Sequence, residues 1–203
     1  MDRVLAVVDE EPILASDVER VVALGLVERE PEESDEAFRR RALQQLIEQR
    51  LRFHEIDRYG FTELPVDRVE EEFREIRRRF ASEAAWQARL AELGLDGEGV
   101  KALVARQLLV FTYIEERLGP RIFVGLEEIQ EYYDTVLVAE MRRRNAEVPP
   151  VEEVREQIRE VLRQRRLNEE LARWTEELRL DADIEDYSNV GHAELPPLLD
   201  RRP

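Results

Sequence analysis

Apolar and polar positions divide the chain into a short strand pattern, a series of helical stripes, a second brief strand pattern and an aperiodic end. Val4–Val8 is an apolar run, Asp9-Glu10-Glu11-Pro12 has the composition of a turn, and Ile13-Leu14 returns, which predicts a small hairpin. Ser16 to Glu19 reads as a capping box opening a helix with Val18, Val21, Val22 and Leu26 on its apolar side. Acidic Glu28–Ser34, with Pro31, predicts a loop. From about Asp35 to Tyr59 the pattern is helical again. Phe38, Ala42, Leu46 and Phe53 share one side, Leu43, Ile47 and Leu51 lie beside them, and Gly60 ends the helix.

After Leu64-Pro65, Val69, Phe73, Ile76 and Phe80 form a single stripe, and Ser82 caps a short helix bearing Trp86 and Leu90 that ends near Leu93. The next stretch differs in kind. Val100–Leu118 is apolar on all sides, and Leu108, Leu109, Val110 and Phe111 point four ways around its axis. A helix of this type is normally surrounded by others, and this one would be about 28 Å long. With Asp96 as its cap and Pro120 beyond its end, it predicts a central helix wrapped by amphipathic neighbours. Leu126–Val138 is helical, Arg121–Val124 is a connector or edge strand, and Glu147–Pro150 interrupts. Val151–Leu180 then predicts a helix of about 45 Å, with Val154, Ile158, Val161, Leu162, Leu171, Trp174 and Leu178 inward. It folds back onto the N-terminal helices of its own chain or, by exchange, of a second copy, forming a homodimer. Ala182 and Ile184 alternate like a strand, and their unsatisfied edge predicts pairing with Val4–Val8. Ser188–Pro203 lacks periodicity and predicts a flexible tail.

Composition narrows the function classes. Net charge is −16, and residues 1–36 carry twelve acids against three arginines. A nucleic-acid partner needs a basic face, which this balance opposes. The runs Arg39–Arg41, Arg77–Arg79 and Arg142–Arg144 alternate with glutamates like solvated helix faces. No segment has the length and apolarity of a membrane span, no signal-peptide pattern is present, and there is no cysteine for thiol catalysis. His54 and His192 lack partners at metal-ligand spacing, no glycine-rich phosphate loop follows a strand, and Ser16, Ser34 and Ser82 read as caps. No catalytic, metal or cofactor residue is expected, and the protein is read as not being an enzyme.

The order of elements resembles SurA-type chaperones. RVLAVVDEEPILASDVERV is similar to the start of that family, ALQQLIEQRLRFHEIDRYGF to its next helix, and VDRVEEEFREIRRRF and AELGLD through RQLLVFTYIEERL to the segments after it. FVGLEEIQEYYD resembles the stretch that precedes the family's inserted parvulin-type prolyl isomerase domain, and VREQIREVLRQRRLNEELARWTEELRLDADIEDY its closing helix and strand. Sixteen residues separate Asp134 from Val151, where a parvulin domain would need roughly a hundred. The resemblance implies a mainly α, SurA N-terminal-like or trigger-factor-like peptide-binding domain, with a small β element made by N- and C-terminal strands. It would be one domain over residues 1–187, with the N-terminal helical region (residues 1–138) completed by the helix and strand of residues 150–187. The implied function is an ATP-independent periplasmic chaperone of unfolded or extended polypeptides, including outer-membrane protein clients, without isomerase activity. Phe80, Trp86, Leu109, Val110 and Tyr113 are the candidate peptide-binding residues, and the acidity of residues 1–36 favours basic clients. The competing class is an assembly module whose groove takes one dedicated partner or its own copy. An enzyme built from scattered carboxylates has no support in their spacing.

Overall fold

A computed structural model describes residues 2–61, 64 and 66–188. The predicted tail falls, beyond Ser188, outside the described residues. The chain is mainly helical with a small antiparallel sheet made from its N- and C-terminal strands. It divides into two compact units, one of residues 1–112 with 177–203 and one of residues 113–176.

In the first unit, β1 (Val4–Val8) is the middle strand, flanked by β2 (Glu11–Leu14) and β3 (Ile184–Asp186) in the order β2-β1-β3. β1 pairs with β3 through Ala6↔Asp186, Val7↔Glu185 and Val8↔Ile184, as the edge argument predicts. Pro12 is tolerated because β2 is an edge strand. The register with β2 slips between Val4 and Ala6, and Leu5 there accepts from Tyr187 N–H at 2.9 Å.

The β1–β2 corner is held by side chains the linear pattern does not reveal. Asp9 adopts φ 55°, a conformation Asp tolerates better than most residues. Its N–H donates to Asp183 O at 2.7 Å, and its carboxylate accepts from Asp183 N–H at 3.1 Å. His54 Nδ1 lies 3.1 Å from the same carboxylate, and Nε2 lies 3.4 Å from Glu11. His54 stands on α2, and both acids reach it from a turn more than 40 residues away, Asp9 by 45.

β2 runs directly into α1 (Ala15–Ala23), so the cap shifts toward the strand. The carboxylate of Asp17 accepts from Leu14 N–H at 2.9 Å, replacing the predicted Ser16–Glu19 box. Gly25, at φ 66°, then reverses the chain after α1, with Leu26 N–H donating to Val21 O. The turn sends Leu24 and Val27 into different clusters, with Leu26 packed on both.

The first cluster joins Ala6, Val8 and Ile13 of the sheet to Val18 and Val21 of α1 and to Phe38, Ala42, Leu43, Ile47 and Leu51 of α2 (Asp35–Arg58). Leu178, Ala182 and Ile184 pack on it. The second cluster collects Leu24, Val69 and Ile76 of α3 (Val66–Arg78), Trp86, Leu90 and Leu93 of α4 (Glu83–Leu93), and Val100 and Val104 of α5 (Gly97–Arg117). Ser34 and Ser82 cap as predicted, accepting from Ala37 and Ala85 N–H, and Asp96 accepts from Gly99 N–H at 2.8 Å.

α5 is not enclosed all round. Val100, Val104, Val110 and Ile114 are buried, whereas Phe111 is 42% exposed beneath the Arg68 guanidinium. α2 departs from its predicted face in a related way: Leu43, Ile47 and Leu51 enter the core, while Leu46 and Phe53 are only half-buried.

The second unit packs Val124, Ile129, Ile158 and Leu162, with Tyr132, Tyr133 and Val154 around them. Ile129 belongs to α6 (Leu126–Tyr132), which passes through a π-helical turn at Tyr133–Leu137 into α7 (Val138–Arg143). Ile158 and Leu162 belong to α8 (Val151–Asp181). Arg166 pairs with Glu128 and donates to Phe123 O, and Tyr133 donates to Pro149 O at 2.8 Å. Val161, predicted inward, is 49% exposed because the stripe follows Ile158 and Leu162 instead. Between Asp134 and Val151 the chain holds only helix and a short connector, with no inserted domain.

Leu51→Ala is expected to cost about 2–5 kcal/mol, since Leu51 is 3% exposed within the first cluster. Phe111→Ala should cost less than about 1 kcal/mol. Urea unfolding of both variants checks the contrast.

Candidate functional site

The predicted peptide-binding residues differ in burial and in what surrounds them. Trp86 is 2% exposed, with Phe73 and Phe80 edge-on to it at 5.9 and 5.0 Å between ring centres. This is a core cluster, and Trp86 offers almost no surface outside it. Phe80 is half-buried and also borders a shallow depression with Arg74, Arg77 and Arg78. Tyr113 lies in the second unit, stacked on Trp174 at 5.5 Å and 28°. Leu109 is half-buried on α5. Val110 lines a cleft.

That cleft, of about 280 Å³ within the first unit, is bounded by one side of α2 and one side of α5. Its apolar lining comes from Ile13, Val21, Leu26, Val27, Leu46, Leu103 and Val110. Several of these are second-row residues of elements whose first row is already spent on the two clusters. Leu46, for instance, stands one residue before buried Ile47 and is itself only half-buried. Among them stand the carboxamides of Gln45, Gln49 and Gln107. Each offers both donors and an acceptor, so the set can meet a main chain in either direction.

Charged groups complete the lining. Asp17 pairs with Arg20 at 2.9 Å, Glu48 with Arg52 at 2.9 Å, and Arg50 with Glu11. Burial lowers the pKa of Arg50, and neighbouring Arg106 lowers it further. Burial likewise lowers that of Arg52, against the opposing pull of Glu48. Both guanidiniums remain cations, since arginine starts far above any working pH.

A second depression in the same unit, about 540 Å³, has Leu5, Val18, Val22 and Leu43 in its walls and Arg3, Arg39, Arg40, Arg89 and Ser188 around them. Among the described residues no group of three histidine, aspartate or glutamate side chains could hold a metal, and no helix is long and apolar enough to cross a membrane.

No protein-family model and no curated protein matches this chain. Most arginines of the three runs are paired locally. Arg40 pairs with Glu36, Arg41 with Glu33, Arg77 with Glu83, Arg78 with Glu75, Arg79 with Glu72, and both Arg143 and Arg144 with Glu140. Exposed pairs of this kind contribute about 0–1 kcal/mol each.

Sequence reading missed Gln45, Leu46, Gln49, Leu103 and Gln107 as site residues. The available signal was the i, i+4 repeat Gln45/Gln49 beside an apolar residue, which is too common to single out. If the cleft rather than Trp86 meets clients, a Trp174→Phe variant should emit from a buried tryptophan. Its emission maximum and acrylamide quenching should stay unchanged when an unfolded client is added.

Proposed function

We propose that this protein is an ATP-independent chaperone that binds unfolded or extended polypeptides through the cleft between α2 and α5, without isomerase activity. The observation that carries the reading is the composition of the cleft: an apolar floor with carboxamides standing among its lining residues. Apolar side chains of a client are withdrawn from water on the floor, and the carboxamides replace water on its backbone without demanding a sequence. At about 280 Å³ the cleft lies at the small end of ligand pockets. That size suits a few side chains of an extended segment better than a folded partner. The order of elements supports the same reading, because the resemblance to SurA-type chaperones also implies a closing helix and strand that return to the N-terminal hairpin. By that resemblance its place would be the cell envelope and its clients would include outer-membrane proteins.

Binding of this kind is weak and fast, since each contact orders a mobile client. A micromolar dissociation constant, about −8 kcal/mol, is expected. Equimolar protein should slow the aggregation of several unrelated unfolded polypeptides without nucleotide. Gln107→Trp fills the cleft from an exposed position, so it should reduce that protection severalfold and leave the unfolding midpoint unchanged. Light scattering with a panel of clients checks both. Protection of one client alone would favour a dedicated-partner module, and protection of none would end the chaperone reading. A prolyl isomerase assay should show no rate above solvent, and activity that co-purified with the protein would overturn that element of the proposal.

A further inference from the structure

The charges lining the α2–α5 cleft are not balanced. Asp17 is held by Arg20 and by Leu14 N–H, and Glu48 lies between Arg52 at 2.9 Å and Arg179 at 3.5 Å. The acids of the cleft are therefore already engaged. Of its cations, Arg50 pairs with Glu11, with 17% of its own side chain exposed. Arg106 has no carboxylate partner among the described residues; its guanidinium lies over the Phe53 ring at 4.7 Å. Stacking on an aromatic face leaves the edge N–H groups of a guanidinium available to an acceptor. A chain with a net charge of −16 thus keeps an uncompensated cation beside an apolar floor.

We infer that the cleft selects extended segments in which a glutamate or aspartate side chain stands among apolar ones, the carboxylate seating against Arg106 while its neighbours fill the floor. The inference rests on the chaperone reading and names the client class that the same site takes. Charge-assisted bonds from a guanidinium to a carboxylate are the stronger kind, and here they form beside surface that excludes water. A lysine in the same place would instead face Arg106 with Arg50 near it. The net acidity of the chain repels acidic clients at a distance, but that field is screened beyond about 8 Å at physiological ionic strength. Arg106 acts at contact. The preference therefore runs opposite in sign to the one that overall charge predicts.

The test uses the whole chain and short blocked peptides of valine and leucine with one central residue, glutamate, glutamine or lysine, followed by fluorescence anisotropy at physiological ionic strength. The glutamate peptide is expected to bind about fivefold tighter than the glutamine peptide, with lysine weakest. Arg106→Gln should bring the glutamate and glutamine peptides together, and Arg106→Glu should make lysine the preferred residue. Equal binding of glutamate and glutamine peptides to the unmodified protein would overturn the selection and leave the chaperone reading standing. Tightest binding of the lysine peptide would overturn it as well. Binding of none of the three would remove both. The peptide comparison on the unmodified protein decides the matter even if an Arg106 variant does not fold.

Discussion

The fold depends on one strand that cannot be left with open edges. β1 is largely buried, so its N–H and C=O groups need partners on both sides. β2 supplies one side from the next turn of chain, and β3 supplies the other from more than 170 residues away. Closing so long a loop is less costly than it looks, since each doubling of length adds only about 0.6 kcal/mol of entropy. Once β3 is in place, the end of α8 comes with it, and Leu178, Ala182 and Ile184 pack on the first cluster. The Asp9 corner makes the closure specific, with paired bonds to Asp183 and the approach of His54 from α2.

The same geometry creates the cleft. α2 has an apolar face wider than the sheet and α1 can cover, and α5 has apolar residues on every side. The two buried clusters use one row from each helix, and the surplus row remains in partial contact with solvent. Apolar surface left this way costs roughly 25 cal/mol per Å² compared with burying it. Exposed apolar surface bordered by polar groups is a mark of interaction sites in folded proteins. Here the bordering groups are carboxamides and guanidiniums on the shoulders of α2 and α5.

In the proposed function, affinity and selectivity would have separate origins. The apolar floor and the carboxamides would act on any extended chain, which would keep binding broad and weak. Arg106 would act only on the charge that a client carries, its contribution set by local desolvation rather than by the charge of the whole protein. The many surface ion pairs add little to either, because exposed pairs on long side chains are nearly offset by ordering and screening.

Much of the architecture was legible in the linear pattern because its causes are local. The caps at Ser34, Ser82 and Asp96, the turn at Gly60 and the extents of α2, α4 and α8 follow from neighbours within a few residues. Even the β1–β3 pairing followed, since it rests on two short apolar segments that each lacked a partner. What the pattern could not decide was which apolar row of a helix becomes core. Leu43 and Leu46, or Val110 and Phe111, are alike as apolar residues, and their fates were set by segments arriving from elsewhere in the chain. The partners of His54 and the absence, among the described residues, of a carboxylate for Arg106 were illegible for the same reason. Side-chain chemistry is written in the sequence, but burial and pairing are relations between distant segments, and only tertiary packing creates them.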